Sequence, residues 1–305
     1  MQASRGHPSS AGLESTQGQD AYRPRSPRMS FKMILVHVEA DPMPDARLAL
    51  AIDVANQFGA RLLGVGAELY GSTYYGSASY DAGYMISAEI ERVDADLQRA
   101  EAKFRGAAGE VRAGWDWRSG VQFPQIELAA DARAADLVVT SRSVRKHALE
   151  YEIAQPGALV LQVGRPVLVA PPDMAKLNAA NVLVAWKDTR ESRRAVADAL
   201  PFLQKAEAVE VVEICDNKAA EPSSASHLAD VADYLVRHDV KATATAHVAE
   251  QDAAAAEQLL DIAERQKADL IVAGAYGHSR FQEWVFGGFT RALLAQTARA
   301  VLFSH

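Results

Sequence analysis

The chain alternates between short apolar runs and longer segments in which apolar residues recur every three or four positions. The short runs predict buried strands, and the longer segments predict amphipathic helices. Strands separated by helices indicate a parallel sheet with right-handed crossovers and helices on both faces. In the second half the predicted strands are residues 181–187, 208–214, 241–248, 269–273 and 300–304, and the predicted helices are residues 189–204, 226–238, 253–267 and 288–298.

The first half follows the same plan, with residues 48–58 and 86–104 as its clearest helices. Three of its apolar segments reappear in the same order in the second half. The sequence therefore predicts an α/β protein of two tandem doubly wound domains, flavodoxin-like or Rossmann-like, each with a five-stranded parallel sheet. The matched segments are 33–39 with 181–187, 135–139 with 268–272, and 164–170 with 298–304.

The boundary between the two copies lies at the prolines of residues 171–172, because proline stops the strand that precedes it. We therefore predict one domain over residues 29–172 and a second over residues 173–305. Residues 1–28 are rich in Ser, Gly, Arg, Pro and Gln and lack the apolar core of a signal peptide, which predicts a disordered tail. A sharper hypothesis takes Met29 as the true start of the protein.

Bulk properties argue against several classes of protein. A formal net charge of -7 argues against a general nucleic-acid binder. No uninterrupted apolar stretch approaches the roughly 20 residues that a membrane-spanning helix needs. The single cysteine, Cys215, excludes an intramolecular disulfide framework and suits a reducing compartment, so we expect a cytoplasmic location. Its position near the end of a predicted strand favours a buried, unreactive thiol.

A glycine-rich turn near the C-terminus is the main candidate for a ligand site. The predicted fourth strand of the second half runs into Gly274 and Gly277, and Gly287, Gly288 and Thr290 come where the next helix begins. Glycines let the backbone approach a ligand closely. A helix start adds free N–H groups and the positive end of its dipole. This order of strand, glycine loop and helix predicts a phosphate-binding site.

A second candidate segment follows the first strand of the second half. In an open parallel sheet, ligands bind at the carboxyl ends of the strands where the strand order reverses, so Lys187 and Asp188 are expected across a crevice from the glycine turn. Lys187 can pair with phosphate, and so can Arg280 in the glycine turn. Asp188 has two interpretations, because Asp188 and Glu191 also have the spacing of a helix capping box.

Together these features resemble the universal stress protein family, specifically its tandem two-domain members, over essentially everything after Met29. Nucleotide-binding members carry G-x-x-G, nine residues and then G-[ST] after the fourth strand, and Gly274, Gly277 and Gly287 fit this motif in register. Thr290 matches a second hydroxyl position. The resemblance implies that the C-terminal copy binds an adenine nucleotide: ATP, or else AMP or ADP, with or without Mg²⁺.

Two positions of the second copy differ from the family pattern. Gly288 stands where a Ser or Thr is expected, which removes a hydroxyl that would touch a phosphate. Lys187 occupies the place of the usual acidic residue near the adenine and ribose, and Asp188 comes one step later.

The first copy departs further from the pattern. Residues 141–144 replace the first two glycines and residues 153–154 replace the later pair, so its site is expected to be closed to ATP. Glu39 does hold the acidic position, which leaves a different small ligand open. In single-domain relatives two subunits pair through their last strands. The resemblance therefore implies that the two copies pair inside one chain, with a further homodimer.

The sequence thus predicts a nucleotide-binding regulatory protein of the stress response rather than an enzyme. No catalytic base and no set of metal ligands is recognisable, so no catalytic or metal-binding residue is predicted and any ATP hydrolysis should be slow. Two alternatives stay open: a nucleotide-free scaffolding protein, with the Tyr-rich loop of residues 70–84 as its contact surface, and an enzyme that hydrolyses ATP or transfers adenylate. That loop is otherwise expected to be a surface excursion.

Overall fold

The computed structural model describes residues 30–40, 45–70, 82–142, 154–215, 217–250, 254–276, 288–296 and 298–305. Strands and helices alternate through both copies. The first copy contains β1 (Met33–His37), α1 (Ala46–Phe58), β2 (Arg61–Glu68), α2 (Ala82–Ala108), β3 (Trp115–Val121), α3 (Pro124–Asp131) with a short 3₁₀ turn (Ala132–Ala134), β4 (Leu137–Ser141), α4 (Pro156–Gln162) and β5 (Val167–Ala170). The second contains β6 (Asn181–Ala185), α5 (Arg190–Leu203), β7 (Ala208–Cys215), α6 (Glu221–Arg237), β8 (Ala242–Val248), α7 (Ala255–Arg265), β9 (Leu270–Gly274), α8 (Gly288–Gln296) and β10 (Ala300–Ser304).

The strands form one sheet in the order β3-β2-β1-β4-β5-β10-β9-β6-β7-β8. Within each copy all neighbouring strands are parallel. Each copy has the order third, second, first, fourth, fifth, which is that of a doubly wound sheet. The predicted α/β class is confirmed, and the order reverses beside the first strand of each copy, between β1 and β4 and between β6 and β9.

The two copies join through their last strands. β5 and β10 pair antiparallel, with Val301 opposite Val169, Leu302 opposite Leu168 and Phe303 opposite Val167. This is the only antiparallel pair among the described strands. The internal pairing that the family resemblance implied is therefore present, and it turns two five-stranded sheets into a continuous sheet of ten.

The sheet is buried on both faces because helices cover each side. Alternate strand residues point to opposite faces, so that Leu35 packs in one apolar cluster and its neighbour Val36 in the other. Residues of α1, α2, α5 and α6 cover one face, and residues of α3, α4, α7 and α8 cover the other. This double cover explains why the strands read as continuous apolar runs rather than as an alternating pattern.

Three phenylalanines close the seam between the copies on the α1 and α5 side. Phe31 and Phe58 come from the first copy and Phe202 from the second, and all three are buried. The ring centroids of Phe58 lie 5.0 Å from those of Phe31 and of Phe202, and the centroids of Phe31 and Phe202 are 5.5 Å apart. Near-perpendicular and tilted arrangements of this kind are favourable for aromatic pairs.

The segment that connects the copies is fastened to α1. Asp53 accepts a hydrogen bond of 3.1 Å from the backbone N–H of Leu177, and Gln57 donates one of 2.7 Å to the carbonyl of the same residue. Leu177 is itself buried. The connection is therefore packed onto the first copy, which fixes how β6 enters the second.

Three predicted helix ends are wrong by four or five residues, one of them being the end of α2, which lies at Ala108 rather than at residue 104. α6 begins at Glu221, five residues before the predicted start at residue 226, because its first turn holds Pro222 and small polar residues that lack an apolar repeat. α2 begins at Ala82, so residues 82–84 of the predicted surface loop are helical, as extending an existing helix costs little. Residues 71–81 of that loop lie outside the described residues, as do the predicted tail of residues 1–28 and Met29.

Candidate functional site

A cavity of about 310 Å³ opens at the carboxyl ends of β6, β7 and β9, where the strand order of the second copy reverses. Its volume lies at the lower end of the roughly 300–1,000 Å³ that small-molecule sites span. This is the crevice that the sequence predicted, with Lys187 on one side and Gly274 and Thr290 on the other. The described lining residues are Ala185, Trp186, Lys187, Thr189, Ser192, Val212, Ile214, Ala255, Leu259, Gly274, Tyr276, Phe289 and Thr290.

The lining divides into an apolar wall and a polar rim. Side chains such as Val212, Ile214 and Leu259 offer a surface on which a flat ring can pack. Hydroxyl groups and one ammonium group supply hydrogen bonds at the rim. A mostly apolar cavity with a few convergent polar groups is the usual form of a small-molecule site.

Three helices begin beside the cavity. The N-cap of α5, Thr189, lines it, as do Ala255 in the first turn of α7 and Phe289 and Thr290 in the first turn of α8. A helix N-terminus carries unpaired N–H groups and the positive end of the helix dipole. Such ends beside one cavity favour an anionic group there, such as a phosphate. The start of α8 has no acidic residue in its first turn, whereas the first turn of α5 holds Glu191 and that of α7 holds Glu257.

Gly274 is explained by packing as well as by any ligand. A Cβ atom added at Gly274 would lie 2.6 Å from the backbone nitrogen of Ser192 and 2.7 Å from the carbonyl carbon of Glu191. Both atoms belong to the first turn of α5. The glycine therefore lets β9 lie directly against that helix, whereas the sequence analysis attributed it to the approach of a phosphate.

The two predicted residues at the start of α8 differ in their surroundings. Gly288 is the first residue of the helix, and an added Cβ would meet no atom of the described residues within 4 Å. Thr290 is buried and lines the cavity, and its hydroxyl oxygen accepts a hydrogen bond of 3.4 Å from the backbone N–H of Tyr276. Thr290 thus connects the end of β9 with α8, whereas Gly288 has no close neighbour among the described residues.

Lys187 has a partner on the neighbouring strand. Its Nζ atom lies 3.5 Å from Oε1 of Glu213, whose side chain is 5% exposed, while the Lys187 side chain is 55% exposed. The other carboxylate oxygen of Glu213 is buried and has no hydrogen-bond partner among the described residues. The ammonium group of Lys187 therefore compensates the buried carboxylate of Glu213. A bound phosphate would have to share this ammonium group with Glu213.

Asp188 does not cap α5, and that interpretation was wrong. The N-cap is Thr189, whose hydroxyl oxygen accepts a hydrogen bond of 3.3 Å from the backbone N–H of Ser192. Asp188 instead pairs with Arg193 at 2.5 Å. It lines a separate cavity of about 460 Å³ with residues of α5 and α6. Asp188 and Thr189 are adjacent and both are suitable cap residues. The backbone after β6 places Thr189, not Asp188, at the start of the helix.

Glu191 is consequently one residue nearer the helix start than a capping box requires. Its side chain is buried and pairs with the guanidinium of Arg190. Burial by itself would raise the pKa of the Glu191 carboxyl. The hydrogen bonds from Arg190, from its own backbone N–H and from Thr189, together with the charge of Arg190, hold that pKa below its ordinary value.

Three predicted site residues, Gly277, Arg280 and Gly287, lie outside the described residues. The structure brings Lys187, Gly274 and Thr290 to one cavity, with Gly288 beginning the helix beside it. Asp188 lies on the same loop but lines the neighbouring cavity.

Sequence reasoning missed Tyr276, Trp186 and Glu213. Tyr276 lines the cavity, has a left-handed backbone with φ 57°, and desolvation raises the pKa of its phenol. An aromatic residue inside a glycine motif, and a tryptophan directly after a strand, were the available signals. Glu213 could have been recognised as an acidic residue in an otherwise apolar part of a strand.

The corresponding place in the first copy holds a cluster of paired charges. Glu39 lies 2.9 Å from the guanidinium of Arg47, which also approaches Asp45 at 3.3 Å. Burial would lower the pKa of Arg47, but the charges of Asp45 and Glu39 and their hydrogen bonds outweigh it and raise that pKa above its ordinary value. The acidic residue that the family pattern places near a ribose is therefore neutralised by the chain itself.

Of the residues that replace the glycines in the first copy, Ser141, Arg142 and Ala154 are described and residues 143–153 are not. Ser141 ends β4. Arg142 extends to the second copy, where its Nη1 atom donates a hydrogen bond of 2.7 Å to the carbonyl of Ala295.

Two further features concern only the part of the chain that the structure describes. There, no group of three or more His, Cys, Asp or Glu side chains is arranged to hold a metal ion. No helix in the same part is long and apolar enough to cross a membrane. Cys215 is a free, buried cysteine at the end of β7.

Comparison with known families identifies the second copy. The model of the universal stress protein family matches residues 179–305. The second copy is therefore a universal stress protein domain. The matched range starts just before β6, ends with the last residue of the chain, and includes the whole candidate crevice.

Solved structures extend the likeness in fold to both copies. A universal stress protein from Archaeoglobus fulgidus DSM 4304 aligns with a TM-score of 0.62 at 13% identity, covering 89% of this chain and 95% of that one. A functionally unknown protein from Pseudomonas aeruginosa PAO1 aligns with a TM-score of 0.56 at 14% identity, covering 90% of this chain and 92% of that one. At such identities the likeness shows the fold of the two-copy chain. No curated protein sequence matches the chain.

Proposed function

We propose that the C-terminal universal stress protein domain binds an adenine nucleotide, ATP, ADP or AMP, in the crevice between β6 and β9, and that occupancy of this crevice regulates the protein in a stress response. The observation that carries the proposal is the cavity at the reversal of strand order, with an apolar wall and three helix N-termini beside it. The role is ligand-dependent regulation rather than catalysis.

The chemistry of the cavity supports a ligand with an apolar and an anionic end. An adenine ring suits the wall that includes Val212, Ile214 and Leu259. The phosphates suit the starts of α7 and α8, and Lys187 supplies a nearby positive charge. Since Lys187 is shared with Glu213, its contribution to affinity should be moderate rather than dominant.

Isothermal titration with ATP tests the proposal directly. We expect the wild-type protein to bind ATP, and Lys187→Ala to weaken binding by about tenfold, the loss that one charge-assisted contact of about 1.4 kcal/mol represents. Lys241→Ala, which removes an exposed lysine before β8, is the matched control and should leave the affinity unchanged.

Three outcomes would contradict the proposal. If the protein does not bind ATP at millimolar concentration, the nucleotide site is refuted and the scaffolding alternative is favoured. Adenosine binding as tightly as ATP would show that the helix N-termini recognise no phosphate. Rapid ATP turnover with added magnesium would show that the protein is an enzyme rather than a ligand-dependent regulator.

The same proposal extends to the state of the protein in the cell. We expect a homodimer, as the family resemblance implies, and a cytoplasmic location, which the single buried cysteine suits. Light scattering of the purified protein at the mass of one chain would contradict the dimer.

A further inference from the structure

Helix α8 connects the candidate crevice with the first copy. Phe289 and Thr290, in its first turn, line the cavity. The same helix contacts α4 of the first copy, and its last turn receives a hydrogen bond from Arg142. The crevice of one copy is therefore built partly on the other copy.

Arg142 caps the C-terminal end of α8. Its guanidinium donates a hydrogen bond of 2.7 Å to the carbonyl of Ala295. The last carbonyl groups of a helix have no partner inside the helix and carry the negative end of its dipole, so a cation is favourable there. The described last turn of α8 contains no basic residue of its own. The first copy thus supplies a cation at a helix end whose own last turn has none.

Gly157, in the first turn of α4, packs against Tyr276. A Cβ atom added at Gly157 would lie 2.7 Å from the hydroxyl oxygen of Tyr276 and 3.5 Å from Cδ1 of Leu294 in α8, with no other atom of the described residues within 4 Å. Tyr276 also lines the cavity and donates its backbone N–H to Thr290. The missing side chain at position 157 therefore leaves the room that this tyrosine occupies.

We propose that the first copy acts as a positioning element for the crevice of the second, with Arg142 holding α8 and Gly157 admitting Tyr276. Arg142 belongs to the segment that replaces the glycine motif of the first copy. Arg142 therefore stands at the place of the first copy's own glycine motif but contacts a helix of the second copy's crevice. Arg142 and Gly157 are positioning residues: they act on the cavity through α8 and Tyr276.

Hydrogen–deuterium exchange of the ligand-free full chain tests the role of Arg142. Arg142→Ala should speed exchange in the peptide that covers Gly288–Gln296 about fivefold, as expected for the loss of one charge-assisted hydrogen bond. Arg133→Ala is the matched control, because Arg133 donates the same kind of hydrogen bond to the carbonyl of Ala130 at the end of α3. Unchanged exchange in α8 on Arg142→Ala would overturn the proposal.

A double-mutant cycle tests the contact between Gly157 and Tyr276. Alanine is normally favoured over glycine within a helix. Here Gly157→Ala should instead speed exchange in α8, because its methyl group meets the tyrosine hydroxyl. In a Tyr276→Phe background that atom is gone, and Gly157→Ala should have no effect. Gly106→Ala in α2, where an added Cβ meets nothing within 4 Å, is the control. An equal effect of Gly157→Ala in both backgrounds would overturn the proposed contact.

A last measurement adds ATP, and this arm alone rests on the proposed function. Arg142→Ala should weaken ATP binding about fivefold relative to Arg133→Ala, because the helix at the crevice is no longer held. Equal ATP affinity in the two variants would contradict the link to the crevice. A wild-type protein that binds no ATP would refute the proposed function, whereas the exchange experiments would still decide whether the first copy positions α8.

Discussion

Single residues at the crevice have roles that their residue type alone did not reveal. Gly274 and Gly288 look alike in the sequence, as two glycines of one motif. In the structure Gly274 lies against the first turn of α5, and a Cβ added at Gly288 would meet no described atom within 4 Å. Lys187, which the sequence analysis assigned to a phosphate, already pairs with the buried Glu213. The roles of Gly274 and Lys187 each depend on a neighbour that is distant in sequence.

A pair of glycine substitutions tests this difference. Gly274→Ala should lower the free energy of unfolding by about 1–3 kcal/mol, because the new methyl group overlaps backbone atoms of α5 that cannot move aside. Gly288→Ala should raise it by about 0.4–1 kcal/mol through the reduced entropy of the unfolded chain. Urea unfolding of the two variants measures both. Equal stability of the variants would refute the packing role of Gly274.

Among elements, α5 shows how far a local pattern can predict a boundary. Its existence and its apolar face follow from helical spacing. The identity of its N-cap could not be predicted from the sequence, because Asp188 and Thr189 are adjacent and both are good cap residues. Only the direction in which the chain leaves β6 decided that Thr189 has the extended backbone of a cap.

Substitutions at the two positions should therefore differ. Thr189→Ala removes the side-chain acceptor of the Ser192 N–H and is expected to lower the free energy of unfolding by about 1 kcal/mol. Asp188→Ala removes an exposed ion pair with Arg193 and should change it by less than about 0.5 kcal/mol. Thermal denaturation of both variants measures the contrast, and a larger loss from Asp188→Ala would restore the capping box.

At the scale of the whole molecule, two copies form one structural unit. β5 and β10 make the sheet continuous, and Phe31, Phe58 and Phe202 close the seam between α1 and α5. The copies therefore have to be understood together, since the first lacks the glycine motif yet contacts α8 of the second.

The seam gives a prediction about cooperativity. Phe202→Ala should lower the free energy of unfolding by about 3–5 kcal/mol, as expected for an emptied aromatic site. Exchange should also become faster in α1, because Phe58 loses its partner across the seam. Phe104→Ala is a suitable comparison, since Phe104 packs with Trp115 and Trp117 inside the first copy. Faster exchange confined to the second copy after Phe202→Ala would show that the copies unfold independently.

The sequence by itself determined the repeat and the α/β class, because apolar periodicity follows from local chain geometry and burial. The general place of the crevice was predicted from the rule that ligands bind at the carboxyl ends of parallel strands. The sequence also pointed to Lys187, Gly274 and Thr290 around one cavity. Only the tertiary structure decided that Asp188 lines the neighbouring cavity and that Lys187 forms an ion pair with Glu213. It also decided that Tyr276 and Arg142 make contacts between the two copies. These contacts join residues on different strands, helices or copies. Their partners are set by packing and charge compensation in three dimensions, which no periodicity along the chain encodes.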